Sequence, residues 1–158
     1  MRASTRESSD VKQATIEKRF EDHLRSHSLK LTPQRRRIFA RAFETHEHFS
    51  AETLYAWLRE EDGPKVSRAT VYRTLDLLVK GGFIESLDMG RGELVYEHTL
   101  GHHHHDHMVC VDCGRIQEFH VEEIEELQRA AAEKKGFTIE SHVHRLMGTC
   151  AACTRARK

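Results

Sequence analysis

Ser67–Leu78 reads SRATVYRTLDLL, and the alternation of polar and apolar residues along it decides what must surround it. Ser67 is a residue type that caps helices, and Val71, Leu75 and Leu78 recur at spacings of four and three, which predicts a helix with one buried stripe ending at Gly81 and Gly82. Arg68 and Tyr72, at i and i+4, share a face about 100° or more away from Val71 and Leu75, a face free to enter a major groove. Working back, Ser50 caps a second predicted helix with Leu54, Trp57 and Leu58 on one side, broken at Asp62, Gly63 and Pro64. Before that, Thr32 followed by Pro33 starts a helix over about 33–44 whose apolar face is Ile38, Phe39, Ala42 and Phe43. Working forward, the period shifts towards two. Phe83–Leu87 (FIESL) and Glu93–Glu97 (ELVYE) flank the glycine-containing Asp88–Gly92 (DMGRG) and predict a hairpin. Three short helices followed by a hairpin are the order of a winged helix.

The chain has 158 residues, 38% apolar and 32% charged, a globular composition with room for one domain or two small ones. No apolar stretch approaches the roughly 20 residues of a bilayer crossing, and Met1–Asp10 (MRASTRESSD) has no apolar core of a secretion signal. A cytoplasmic protein without a membrane partner is expected, with residues 1–14 as a polar, disordered tail. Its zero net charge conceals an asymmetry: residues 1–82 hold 16 Lys and Arg against 12 Asp and Glu, and residues 83–158 hold 9 against 13. Nine of the 13 histidines and all four cysteines lie in the acidic half. That is the pattern of a polyanion-binding module joined to a metal-binding one.

In this second half, strands are predicted at Met108–Val111 and Arg115–Phe119. A helix over about 121–135 is expected to bury Ile124, Leu127 and Ala131. A final strand, Phe137–Met147, places Ile139, Val143 and Met147 on one face and His142 and His144 on the other. The sharpest signal is the pair of CxxC motifs, Cys110–Cys113 and Cys150–Cys153. Thiolates two residues apart on a tight turn reach one cation, and two such turns close a tetrahedral sulfur site for structural Zn(II). A redox dithiol competes with this reading, but neither pair is predicted at the strand-to-helix junction of a thioredoxin-like motif.

The run His102–His107 (HHHHDH) precedes a predicted strand, where period two sends His103, His105 and His107 to one face and His104 and Asp106 to the other. One segment then serves two metal sites, with further imidazole and carboxylate donors at His48, Glu97, Glu118, Glu125 and His142. Mixed ligation of this kind suits Fe(II), Mn(II), Zn(II) or Co(II) and exchanges more readily than four thiolates do. A metal-dependent hydrolase lacks support, since HExxH is absent and no nucleophile and base stand out; the protein is expected not to be an enzyme and to take no small-molecule substrate. Lys18, Arg19, Arg25, Lys30, Arg35, Arg36, Arg37 and Arg41 crowd the first helices, and Arg68, Thr70, Tyr72 and Arg73 open the third, a basic surface for double-stranded DNA.

From about Leu29 to Cys153 the chain resembles the ferric uptake regulator family of metal-responsive repressors. LKLTPQR (29–35), HFSAETLY (48–55), SRATVYRTLDLL (67–78), HHHHDHMVCVDCG (102–114) and the closing CAAC carry the likeness. The resemblance implies an α+β fold with a winged helix over 15–97 and an α/β dimerisation domain over 98–158. It implies metal-dependent binding of palindromic operator DNA as a homodimer, with a tetramer as the alternative assembly. Taken position by position, it places structural Zn(II) on Cys110, Cys113, Cys150 and Cys153. A regulatory site takes His48, Glu97, His105, His107 and Glu118, and a further site takes His104, Asp106, Glu125 and His142. Lys30 goes to a minor groove, Tyr72 to bases and Arg73 near phosphate, with Arg35, Arg68 and Thr70 completing the DNA face. Peroxide-sensing relatives usually carry Asp where Glu118 stands, which favours metal sensing. Fe(II) is the expected regulatory ion, with Mn(II) or Zn(II) as alternatives; a metal buffer or chaperone with an incidental basic face is the reading outside transcription.

Overall fold

The computed structural model describes residues 3–45, 47–88, 92, 94–98 and 105–157, with side chains from residue 13 onward. The architecture is α+β, and the chain divides into two compact units between residues 101 and 102.

In the first unit, helix α1 (Ala3–Ser26) precedes α2 (Pro33–Glu44), strand β1 (Phe49–Ser50), α3 (Ala51–Glu60) and α4 (Arg68–Lys80); β2 (Glu85–Asp88) and β3 (Leu94–Glu97) follow. Three of the helices begin the same way. Thr32 Oγ1, Ser50 Oγ and Ser67 Oγ accept the backbone N–H of Arg35, Thr53 and Thr70 at 3.3, 3.1 and 3.2 Å, satisfying donors that the first turn leaves open. The strands form an antiparallel sheet in the order β1-β3-β2, with Phe49 opposite Tyr96 and Leu87 opposite Val95. The expected winged-helix order is therefore present. The helix reaching back to Ala3 is not what the polar start led us to expect; 1–14 carries no Gly or Pro to stop a helix. Its C-terminal half matters to the core, where Phe20 stacks on Phe39 at 5.6 Å and meets Phe83 edge-on at 5.3 Å.

In the second unit, β4 (Asp106–Cys110) is the central strand of a three-stranded sheet in the order β5-β4-β6. It pairs antiparallel with β5 (Ile116–Phe119) and parallel with β6 (Arg145–Gly148), while α5 (Glu122–Glu133) and α6 (Ala151–Ala156) complete the unit. Three expectations need correcting. The final strand spans only Arg145–Gly148, because pairing with β4 begins opposite His107, and 137–144 runs outside the ladder. Helix α5 does not bury its apolar stripe: Leu127 is 71% exposed and Ala131 is exposed, since nothing else among the described residues covers that face. Cys150 does sit at a strand-to-helix junction, as the N-cap of α6 directly after β6. No helix among the described residues is long and apolar enough to cross a membrane.

Candidate metal centres and nucleic-acid interface

The four cysteines converge. Cys110 ends β4, and Gly114, at φ +73°, lets the chain turn back so that its N–H reaches Cys110 O at 2.9 Å and Cys110 N–H reaches Arg115 O at 2.9 Å. That turn brings Cys113 round beside Cys110. Cys150 and Cys153 come from the start of α6, and Cys150 N–H donates to Cys110 Sγ at 3.3 Å. All four Sγ atoms lie within 4.8 Å of one another, with Cys113 and Cys150 at 3.8 Å. Zn–S bonds of about 2.3 Å in a tetrahedron require edges of roughly 3.8 Å, so the donor set fits a tetrahedral thiolate-bound ion. Arg157 pairs with Asp112, a further tie between the two halves of the cluster. The backbone N–H groups of Cys150 and Cys113 hold the Cys110 thiol down to about 6, and Cys153 N–H lowers Cys150. Hydrogen bonds with Cys113 and then Cys150 push the Cys153 thiol up to about 12. Close-packed thiolates repel, and a bound cation removes that repulsion. This clustering, rather than the position of either pair in the fold, argues against a redox dithiol.

A second group lies at the other end of the same strand. Asp106, only 1% exposed, has Oδ1 3.7 Å from His142 Nε2, and Glu125 Oε1 of α5 lies 3.3 Å from that nitrogen. One donor atom from each lies within 4.8 Å of the others. Two carboxylates and an imidazole suit a divalent ion of intermediate hardness. His104, expected as a fourth ligand, lies outside the described residues, as do His102 and His103.

The opposite face carries His107 of β4 and His105, which immediately precedes the strand, their rings 5.0 Å apart. Glu118 stands opposite His107 in the β4–β5 pairing, and its Oε1 is 4.0 Å from His105 Nε2. The alternation predicted for this segment is present from His105 onward. Within the winged helix, continuing the Phe49–Tyr96 pairing by one residue brings His48 opposite Glu97. His48 Nε2 is 3.1 Å from Glu97 Oε2, with both side chains largely buried, 15% and 11% exposed.

The basic residues divide. Arg35 donates to the carbonyl of Lys30 at 2.7 Å, Arg36 pairs with Glu17, and Arg37 caps the carbonyls of Leu58, Glu61 and Pro64. Arg41 lies over Trp57 at 4.1 Å and pairs with Glu61. Much of the Arg35–Arg37 run is thus committed to holding helices together. Thr70 helps to start its helix, its hydroxyl 2.9 Å from Ser67 Oγ. Lys30, Arg68, Tyr72 and Arg73 are exposed, as a DNA-facing set requires. Two neighbours escaped the sequence reading. Glu52 contacts both Arg68 and Tyr72, and no periodic signal points to it. His144 touches Asp106 at 3.1 Å, and its placement on the His142 face by period two was the available sign.

Residues 26–147 match the ferric uptake regulator family. Over 132 residues the chain is 42% identical to the ferric uptake regulation protein of Neisseria meningitidis serogroup A, covering 82% of this chain and 90% of the relative. The structure of the Helicobacter pylori ferric uptake regulator, described as having three functional metal-binding sites, superposes with a TM-score of 0.78 at 30% identity, covering 90% of this chain and 93% of that one. A zinc uptake regulator complexed with zinc and DNA aligns with a TM-score of 0.54 at 27% identity, covering 92% and 97%. With helices, sheets and clustered metal donors matching a likeness of that extent, the chain belongs to the ferric uptake regulator family of metal-responsive transcription regulators, which are not enzymes.

Proposed function

We propose that this protein is an Fe(II)-responsive repressor that binds palindromic operator DNA as a homodimer when its regulatory site is filled. The carrying observation is the His48–Glu97 pair at 3.1 Å, a pair of metal donors at the foot of the wing, inside the unit that bears the recognition helix α4. The regulatory ligands are His48 and Glu97 together with His105, His107 and Glu118. Asp106, Glu125, His142 and His104 form a further centre, and Cys110, Cys113, Cys150 and Cys153 hold structural Zn(II). A cation shared by ligands of both units restricts the angles available to the reading head. It favours dimers whose recognition helices match major-groove faces about 34 Å apart or a multiple of that. Lys30, Arg35, Arg68, Thr70, Tyr72 and Arg73 make the DNA contacts. The coupling is the difference in metal affinity between two shapes, about 1–3 kcal/mol, and is reciprocal.

Homodimerisation is supported by the apolar surface of the second unit. Leu127, Phe137 and Val143 are exposed, as are Met108 and Leu146, which are neighbours across β4 and β6. Iron is supported by the name of the meningococcal relative, and the zinc regulator's complex with DNA supports the DNA-binding role.

The test is operator binding titrated with Fe(II), Mn(II) and Zn(II) at buffered free concentrations, without oxygen, for the wild type, His107→Ala and Cys113→Ser. His107→Ala is expected to abolish metal-activated binding in a folded protein, and Cys113→Ser to cost folding or dimerisation. Activation at a lower free concentration of Mn(II) or Zn(II) than physiological Fe(II) would replace iron as the signal. Equal metal affinity with and without operator would exclude the mechanism, and metal uptake with no gain in DNA affinity would leave a buffer.

A further inference from the structure

Asp106 uses its two carboxylate oxygens differently. Oδ1 faces His142 and, beyond it, Glu125, while Oδ2 is met by His144 Nδ1 at 3.1 Å. A carboxylate oxygen only accepts, so in this contact Nδ1 carries the proton and donates it. His144 is fixed in turn from two other directions. Its carbonyl accepts the N–H of His107 at 3.3 Å, which joins it to β4, and its ring meets Phe119 of β5 edge-on at 5.5 Å. It does not belong to the group of donor atoms that lie within 4.8 Å of one another; that group is Asp106, Glu125 and His142.

We propose that His144 is a positioning residue for the Asp106–Glu125–His142 centre, holding Oδ2 through Nδ1–H so that Oδ1 is presented to a divalent cation. The inference rests on reading those three residues as metal ligands. The physical reason is that a buried carboxylate with one oxygen tethered has fewer orientations to lose when a cation binds. Partners of this kind typically change metal affinity 10- to 100-fold on removal. The imidazole thus acts without touching the ion.

The experiment uses the full-length, Zn-loaded protein in a His107→Ala background, so that the other imidazole–carboxylate site contributes little. Mn(II), which thiolate sites disfavour, is titrated and its free concentration followed by electron paramagnetic resonance. His142→Ala should remove one Mn(II) equivalent. His144→Leu should keep that equivalent at roughly 10- to 100-fold weaker affinity, and His144→Asn, whose amide N–H can reach the same oxygen, should recover much of the loss. Circular dichroism and zinc content establish that each variant is folded. Affinity in His144→Leu equal to the parent would overturn the positioning role while leaving the centre intact. Loss of the whole equivalent in folded His144→Leu would overturn it too, by making His144 a ligand. If His142→Ala changes nothing, the reading of the centre fails, and the inference with it.

Discussion

Arg68 Nε, at the start of the recognition helix, lies 3.0 Å from Glu52 Oε2 on α3. The other oxygen of the same carboxylate accepts the hydroxyl of Tyr72 at 3.4 Å, so one acidic residue governs two groups on the face proposed to meet bases. Exposed pairs of this kind are worth about 1 kcal/mol at most, enough to set an orientation and weak enough to give way to a phosphate. Glu52→Gln should therefore raise affinity for non-operator duplex roughly 5-fold, the equivalent of that pair. It should also steepen the salt dependence by about 0.9 in log–log slope as Arg68 gains a phosphate. Fluorescence anisotropy at several salt concentrations measures both, and parallel slopes for the two proteins would refute the idea.

Zinc retention should depend on pH in a definite direction. Cys153, held up to about 12, must give up a proton to ligate, whereas Cys110, held down to about 6, has largely done so at neutral pH. As pH falls through 6, Cys110 also takes up a proton, and protons then compete with the ion at that position as well. Zinc loading of the metal-free protein at pH 7.5 should therefore release protons, and affinity should fall steadily towards pH 5. A competition titration corrected for the chelator's own protonation measures this; unchanged affinity across that range would contradict the assignment.

Phe20→Ala should destabilise the winged-helix unit by about 3–5 kcal/mol, the usual cost of emptying a fully buried phenylalanine site. The chain's single tryptophan, Trp57, belongs to that unit, so its fluorescence during urea unfolding reports this loss apart from the zinc-bearing unit. A change under about 1 kcal/mol would mean that α1 is an accessory to the core rather than part of it.

The parts of this fold visible in the sequence are those where two local rules agree. Thr32, Ser50 and Ser67 each combine a capping side chain with an apolar period behind it, and the helices start where those rules meet. The bounds of helix α1 are hard to see in the sequence because Ile16, Phe20 and Leu24 alone carry its apolar line into the core through a mostly polar segment. For α5, spacing shows that Leu127 belongs to an apolar face without saying whether this chain covers it. The metal donors were legible as residue types and as faces of β4, because strand geometry alone separates His105 and His107 from Asp106. What Glu52 and His144 do was not legible, since each acts on a partner far away in sequence, and no local pattern encodes that.

Strand β4 is gripped on both edges, by β5 running one way and β6 the other. Its five residues carry imidazole to one side, carboxylate to the opposite side and a thiol at the end. Deleting Met108 or Val109, which lie between the donors, would turn the donors on one side of the gap to the opposite face and drag Cys110 out of its cluster. Substitutions there damage single sites, but a change of length would disable every ion-binding function of the unit together, so this is the segment where descendants of the chain have least freedom to gain or lose a codon.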